Sequence, residues 1–153
     1  MASNQSLPVV LCGRLEKVGS LIIEGLKPEY EVIHFITSME DGIHNLPPIL
    51  SGSLPLSNES GLGSKSYSRP PKAVILGGGY DDEAIARLRQ AVISLQGTFE
   101  VPWIKADLKK TEAGPTPGTD EYCNSAASRI KEALRVLQEG EKLDRTGDGL
   151  FLW

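Results

Sequence analysis

Two short stretches of this chain carry groups able to do chemistry. The first, Cys12-Gly-Arg-Leu-Glu-Lys17, follows an apolar run; the second, Gly77-Gly-Gly-Tyr-Asp-Asp82, follows another. Glycines let backbone come close to a ligand, and a helix that starts there offers free N–H groups to an anion. Arg14 and Lys17 would add positive charge. Gly13, Arg14, Lys17 and Gly78 are therefore the candidate ligand- or cofactor-binding residues. Tyr80 beside Asp81 has the makeup of an acid/base pair and supplies the candidate catalytic residues. Plainer readings stand next to these: the glycines only make tight strand-to-helix turns, Tyr80 packs, and Asp81 caps a helix.

The charges and spacings narrow the chemistry. The first stretch continues to Gly19 but does not complete the G-x-G-x-x-G pattern of a dinucleotide turn. Thr37 and Ser38 stand where a ribose-binding acid is expected, and they would tolerate a 2′-phosphate, which makes NADP the dinucleotide left open. Asp81, Asp82 and Glu83 would repel a phosphate at the second stretch. Cys12 ends a strand near Arg14 and Lys17, which would favour a thiolate, but no histidine is placed to serve it; a buried thiol is the other reading. Cys12 and Cys123 lack metal-ligand spacing and form no motif with His34 or His44, so no metal is expected. The segment Asp144-Arg-Thr-Gly-Asp-Gly149 imitates the start of a calcium loop. The glutamate that closes such a loop would fall beyond Trp153.

The elements that must position these stretches follow from periodicity. Leu7–Cys12 is a short apolar run ended by Gly13, as suits a buried parallel strand. Leu15, Val18, Leu21, Ile22, Gly25 and Leu26 share a helical face, and Pro28 stops the helix. Tyr30–Ile36 is rich in β-branched and aromatic residues and reads as a second strand. Residues 39–71 hold five prolines, several glycines and many serines, and read as a long loop with at most one helical turn, either a lid or a crossover. Residues 72–77 form a third strand. A helix follows from Asp81, with Ile85, Leu88, Val92 and Leu95 inward, and Gly97 ends it. A fourth strand begins at Thr98 and runs past Pro102 to Ile104. After a polar loop, Thr119 or Asp120 caps a last helix whose inner face holds Tyr122, Ala126, Ile130, Ala133, Leu134 and Leu137, with Gly140 as its stop. His34 belongs to a strand core, and His44 to the loop.

This alternation predicts one α/β domain over residues 1–153, a small Rossmann-like, doubly wound fold. Its mostly parallel sheet has about four strands in the order 2-1-3-4, with helices on both faces. The strand order reverses between strands 1 and 3, where ligands bind beyond the carboxyl ends, and both glycine stretches face that point. The apolar tail, residues 149–153, should dock as an edge strand on this domain or on a second subunit, which raises a homodimer.

Composition bounds the partners. The chain has 153 residues, 40% hydrophobic and 24% charged, with net charge −4. That is an ordinary globular balance without the basic field that nucleic acid or an anionic membrane would need. No apolar run is long enough to span a membrane, and the polar start lacks the basic flank of a secretory signal. A cytoplasmic protein is expected.

The segments Pro8-Val-Val-Leu-Cys-Gly-Arg-Leu-Glu-Lys-Val-Gly19, Leu26-Lys-Pro-Glu-Tyr-Glu-Val-Ile-His-Phe35 and Tyr67-Ser-Arg-Pro-Pro-Lys-Ala-Val-Ile-Leu-Gly-Gly-Gly-Tyr-Asp-Asp82 resemble a group of short fungal Rossmann-like proteins. Val101-Pro-Trp103 fits the same pattern. The resemblance covers most of the chain and implies a fungal, cytoplasmic protein linked to secondary metabolism, with no activity attached. A looser likeness runs through Gly77-Gly-Gly-Tyr-Asp81 to NAD(P)-binding domains and to the flavodoxin-like half of D-2-hydroxyacid dehydrogenases. The chain has about half the length of such a dehydrogenase or less, and no motif matches its catalytic His–Glu pair. The expected function is binding of a small molecule or nucleotide cofactor, with reductase-, isomerase- or cyclase-like turnover open to it. The alternative is a non-catalytic interaction protein whose scaffold has lost its cofactor.

Overall fold

The run Leu7–Cys12 is strand β1 of the computed structural model, which describes residues 6–57, 60–140 and 150–153. β1 pairs in parallel with β2 (Tyr30–Ile36) on one side and β3 (Val74–Leu76) on the other. β3 then pairs with β4 (Trp103–Lys105), and β4 with β5 (Phe151–Leu152). The sheet is thus all parallel, in the order β2-β1-β3-β4-β5. Among the described residues five helices surround it: α1 (Glu16–Leu26), α2 (Met39–Leu50), α3 (Asp82–Ile93), α4 (Leu108–Ala113) and α5 (Asp120–Gln138). The small Rossmann-like fold and the order of the first four strands are as expected; the fifth strand extends them.

Alternation along the strands separates two cores. Val9, Leu11, Val32, Phe35, Ile75 and Ile104 face α1 and α5. Val10, Cys12, Ile33, Ile36, Val74 and Leu76 face α2 and α3. Short buried strands need both faces covered, and this arrangement supplies one helix pair to each. An irregularity in the pairing shifts register, so that Val9 opposes Val32 while Val10 opposes His34. The extra β2 residue reverses the alternation beyond it, and Phe35 thereby faces α1.

α2 corrects the loop expected over residues 39–71. Ser38 caps it by accepting from the Asp41 N–H at 3.1 Å, and the Asp41 carboxylate accepts in turn from the Thr37 N–H at 3.0 Å. Pro47 and Pro48 fall near its end, where few later turns remain to be disrupted, and Leu46, Ile49 and Leu50 are buried. Part of the remaining loop is tied to the sheet. Its Ser64 and Lys65 amides donate to the Val32 and Ile33 carbonyls, both at 2.9 Å, so the chain runs along the outer edge of β2. A covered edge cannot template pairing with another chain.

A further correction concerns β4, while the tail takes the first of its two expected places, an edge strand on this domain. Residues 98–101 are not strand, and β4 starts after Pro102. The tail settles on its own sheet: Leu150 and Trp153 are buried, and the Trp153 indole N–H donates to the Leu76 carbonyl at 3.1 Å. The calcium-loop look-alike, residues 144–149, lies outside the described residues. No described helix is long and apolar enough to cross a membrane.

His34 marks the join between strand and strap. Its Nδ1 lies 2.7 Å from the Tyr67 hydroxyl, while its Nε2 is buried with no hydrogen-bond partner among the described residues. Burial holds the imidazole below its ordinary value of 6.5, the largest opposing influence being Asp41. The folded chain therefore binds this proton at lower pH than the unfolded chain. Its stability contribution is complete above the unfolded value and lost as pH falls toward the folded one. Urea midpoints should drop from about pH 7.5 to about pH 5, and drop less in His34→Gln. Equal drops in both proteins would contradict this assignment.

Candidate functional site

At the carboxyl ends of β1 and β3, on the α1/α5 side of the sheet, lies a half-open cavity of about 300 Å³. Its floor is Leu11, Phe35 and Trp153, and its walls come from α1, α5, α4 and the turns after β1 and β3. This is the crevice that the reversal of strand order predicts. A larger hollow of about 510 Å³ lies near Phe99, Trp103 and Phe151, but at the amino ends of β4 and β5.

The expected site residues divide here. Gly13, Arg14 and Gly78 line the cavity; Lys17, Tyr80 and Asp81 do not. Lys17 is exposed on α1. Tyr80 lies in the other core, against α2 and α3, and is 4% exposed. Its hydroxyl donates to the Gly13 carbonyl at 3.1 Å and approaches the Ile36 carbonyl at 3.4 Å. The proton is thus committed to joining the ends of β1 and β2. Burial also drives the phenol far above its ordinary value, with Cys12 adding to the shift and Arg14 opposing it. Asp81 caps α3, accepting from the Ala84 N–H at 2.8 Å. The Cys12 thiol is fully buried and raised far above the usual thiol range, by burial first and Asp41 second, which opposes the thiolate reading. His44 is exposed on α2, away from the cavity lining.

The glycines of the first turn have a packing reason. A Cβ on Gly19 would come within 2.5 Å of the Phe35 ring, and one on Gly13 within 2.9 Å. Those glycines let α1 settle onto β2. Gly79 faces Arg14, whose guanidinium lies 4.7 Å from the centre of the Tyr80 ring in a cation–π contact. Gly78 instead opens onto space: a Cβ there would find nothing within 4 Å.

The polar groups at the mouth are few. Leu15 stands at the N-cap of α1 and provides no side-chain cap. The first-turn amides of Glu16, Lys17 and Val18 consequently meet no acceptor among the described residues. Leu15 and Leu108 flank the opening, each 61% exposed. Sequence reasoning missed Phe35, Leu108, Tyr122 and Trp153 as cavity residues. The spacing of Phe35 and Tyr122 marks core faces, Leu108 falls in a segment that reads as polar loop but forms α4, and only the three-dimensional meeting of α1, α4, α5 and the tail joins them. Among the described residues, no three His, Cys, Asp or Glu side chains gather to hold a metal ion.

Over 141 residues the chain is 33% identical to kojic acid related protein 6 of Aspergillus oryzae, covering 91% of this chain and 82% of that one. The chain belongs to the family of that protein. The resemblance to short fungal proteins is thereby met at the level of a fungal relative. No family model and no solved structure matches the chain.

The packing account gives a paired test. Gly19→Ala should lose about 1–3 kcal/mol to overlap with Phe35, of which the helix-forming gain of alanine offsets about 1 kcal/mol. Gly78→Ala should stay within about 0.5 kcal/mol of the parent by chemical denaturation. A Gly19→Ala protein as stable as Gly78→Ala would refute the role given to Phe35.

Proposed function

We propose that the protein binds a small molecule of fungal secondary metabolism in the crevice between the Gly13–Arg14 turn and the turn of Gly77, Gly78 and Gly79. The observation that carries this reading is the apolar cavity at the switch point, entered between two exposed leucines. A folded protein seldom leaves such leucines bare beside a cavity unless something covers them. The name of the Aspergillus relative supports the metabolic setting, and the cytoplasm is the compartment we adopt.

A nucleotide cofactor fits the surroundings less well. Thr37 donates to the buried carboxylate of Asp41, so the ground offered to a 2′-phosphate is already negative. Asp82 at the second turn is 2.6 Å from Lys105, and that cation is therefore spent. NADP remains a compound to test rather than part of the reading. Reductase-, isomerase- or cyclase-like turnover through Tyr80 and Asp81 also gives way, because one bonds the backbone and the other caps a helix. These commitments favour a binding protein that has kept the scaffold without the cofactor. Pairing of two copies through the tail is not part of this reading, since Leu150 and Trp153 are buried in their own chain.

Thermal shift with single-ring metabolites, kojic acid among them, and with NADP⁺, NAD⁺ and FMN checks the proposal. A ligand present at about ten times its Kd stabilises the fold by about 1.4 kcal/mol. At least one single-ring compound should raise the melting temperature, and the rise should shrink in Arg14→Ala. Stabilisation by NADP⁺ alone would replace this reading with a cofactor site, and no shift with any compound would remove it.

A further inference from the structure

The cavity wall contains one polar side chain that the fold does not use. Tyr122, on the first turns of α5, is 8% exposed and lines the cavity. Its backbone amide bonds Thr119, but its hydroxyl makes no hydrogen bond among the described residues. That hydroxyl is not among the sealed, unpartnered atoms of the fold, so water meets it in the free protein, and a tyrosine there, where phenylalanine would pack, offers a donor that a ligand's acceptor can take over from water.

The charges nearby agree on the sign of that acceptor. The guanidinium of Arg129, also on α5, lies 4.8 Å from the centre of the Trp153 ring, which forms the cavity floor. Its Nε and Nη1 are buried with no hydrogen-bond partner among the described residues. Arg129 also draws the Tyr122 phenol downward, while burial, the larger effect, raises it; the group stays a protonated donor at neutral pH. Across the cavity stand Arg14 and the uncapped start of α1, whose free amides carry the positive end of the helix dipole. Among the described residues, no Asp or Glu side chain lines the cavity. Glu16 in the first turn of α1 lies 3.3 Å from Ser60, and Asp107 caps α4.

We propose that the cavity selects a compact ring compound carrying one anionic oxygen group, which accepts a hydrogen bond from the Tyr122 hydroxyl or the α1 amides under the field of Arg14 and Arg129. This deepens the crevice reading and rests on it. Apolar walls of Leu11, Val18, Ile22 and Phe35 take the ring, and the volume of about 300 Å³ sits at the small end of ligand sites. Tyr122 is thus a specificity-determining residue, which helical periodicity assigns only to the core.

Three single-ring probes of similar size and different charge test this: benzoate, benzamide and benzylammonium, each titrated calorimetrically into the full chain. Benzoate should bind at least about tenfold more tightly than the other two, as expected for a charge-assisted hydrogen bond over a neutral one. Tyr122→Phe should weaken benzoate about tenfold and leave the melting temperature of the free protein unchanged, because the hydroxyl bonds nothing in the fold. Equal or tighter binding of benzamide or benzylammonium would overturn the charge assignment while leaving the crevice reading intact. Undiminished benzoate binding in Tyr122→Phe would overturn the role of Tyr122. Failure of all three probes to bind would remove the crevice reading itself, and this inference with it.

Discussion

The ring of Phe35 fills the space that side chains at positions 13 and 19 would need, and the site follows from that exchange. Because both residues are glycine, α1 can lie close on the sheet, and the ring becomes part of the cavity floor. The register irregularity in β2 is what turns Phe35 toward α1 rather than α2. One extra residue in a strand thus decides which face receives an aromatic ring. A cavity opens beside the ring because glycine backbone, unlike a branched side chain, leaves the strand ends uncovered.

Other contacts keep those ends in place. The Tyr80 hydroxyl bridges the carbonyl ends of β1 and β2 from the opposite face, and Arg14 rests on the Tyr80 ring. The Trp153 indole closes the far side on the Leu76 carbonyl at the end of β3. Buried aromatic residues that also spend a polar hydrogen on backbone fix geometry as well as volume. The strap along β2 does comparable work at the sheet edge. Asn45, fully buried, accepts the Leu56 and Ser57 amides at 2.8 and 3.0 Å and pins the start of that strap to α2.

Much of this was legible in the chain itself. Short apolar runs ended by Gly13 and Gly77 identify buried parallel strands, and Asp81, Thr119 and Gly140 mark helix ends where the structure has them. The crevice was legible too, since strand order alone locates it. α2 was hidden because Pro47 and Pro48 signal a break, whereas their place near the helix end, the burial of Pro47 and the Asp41–Asn45 pair favour helix. The use of Tyr80 was hidden because periodicity cannot say which carbonyl a hydroxyl will find. Tyr122 was legible as a core residue, yet not as a cavity residue, for the same reason: the open side of its ring depends on α4 and the tail, which are distant in sequence.

What unites these features is an apolar cavity at the switch point, open to solvent and bordered by unspent donors. Amide mapping by ¹H–¹⁵N NMR during titration with benzoate examines that claim most directly. The account predicts shifts confined to the amides of residues 13–19 and 77–79 and of Tyr122 and its neighbours on α5, together with the Trp153 indole. Shifts centred on Phe99 and Trp103, at the other end of the sheet, would contradict it.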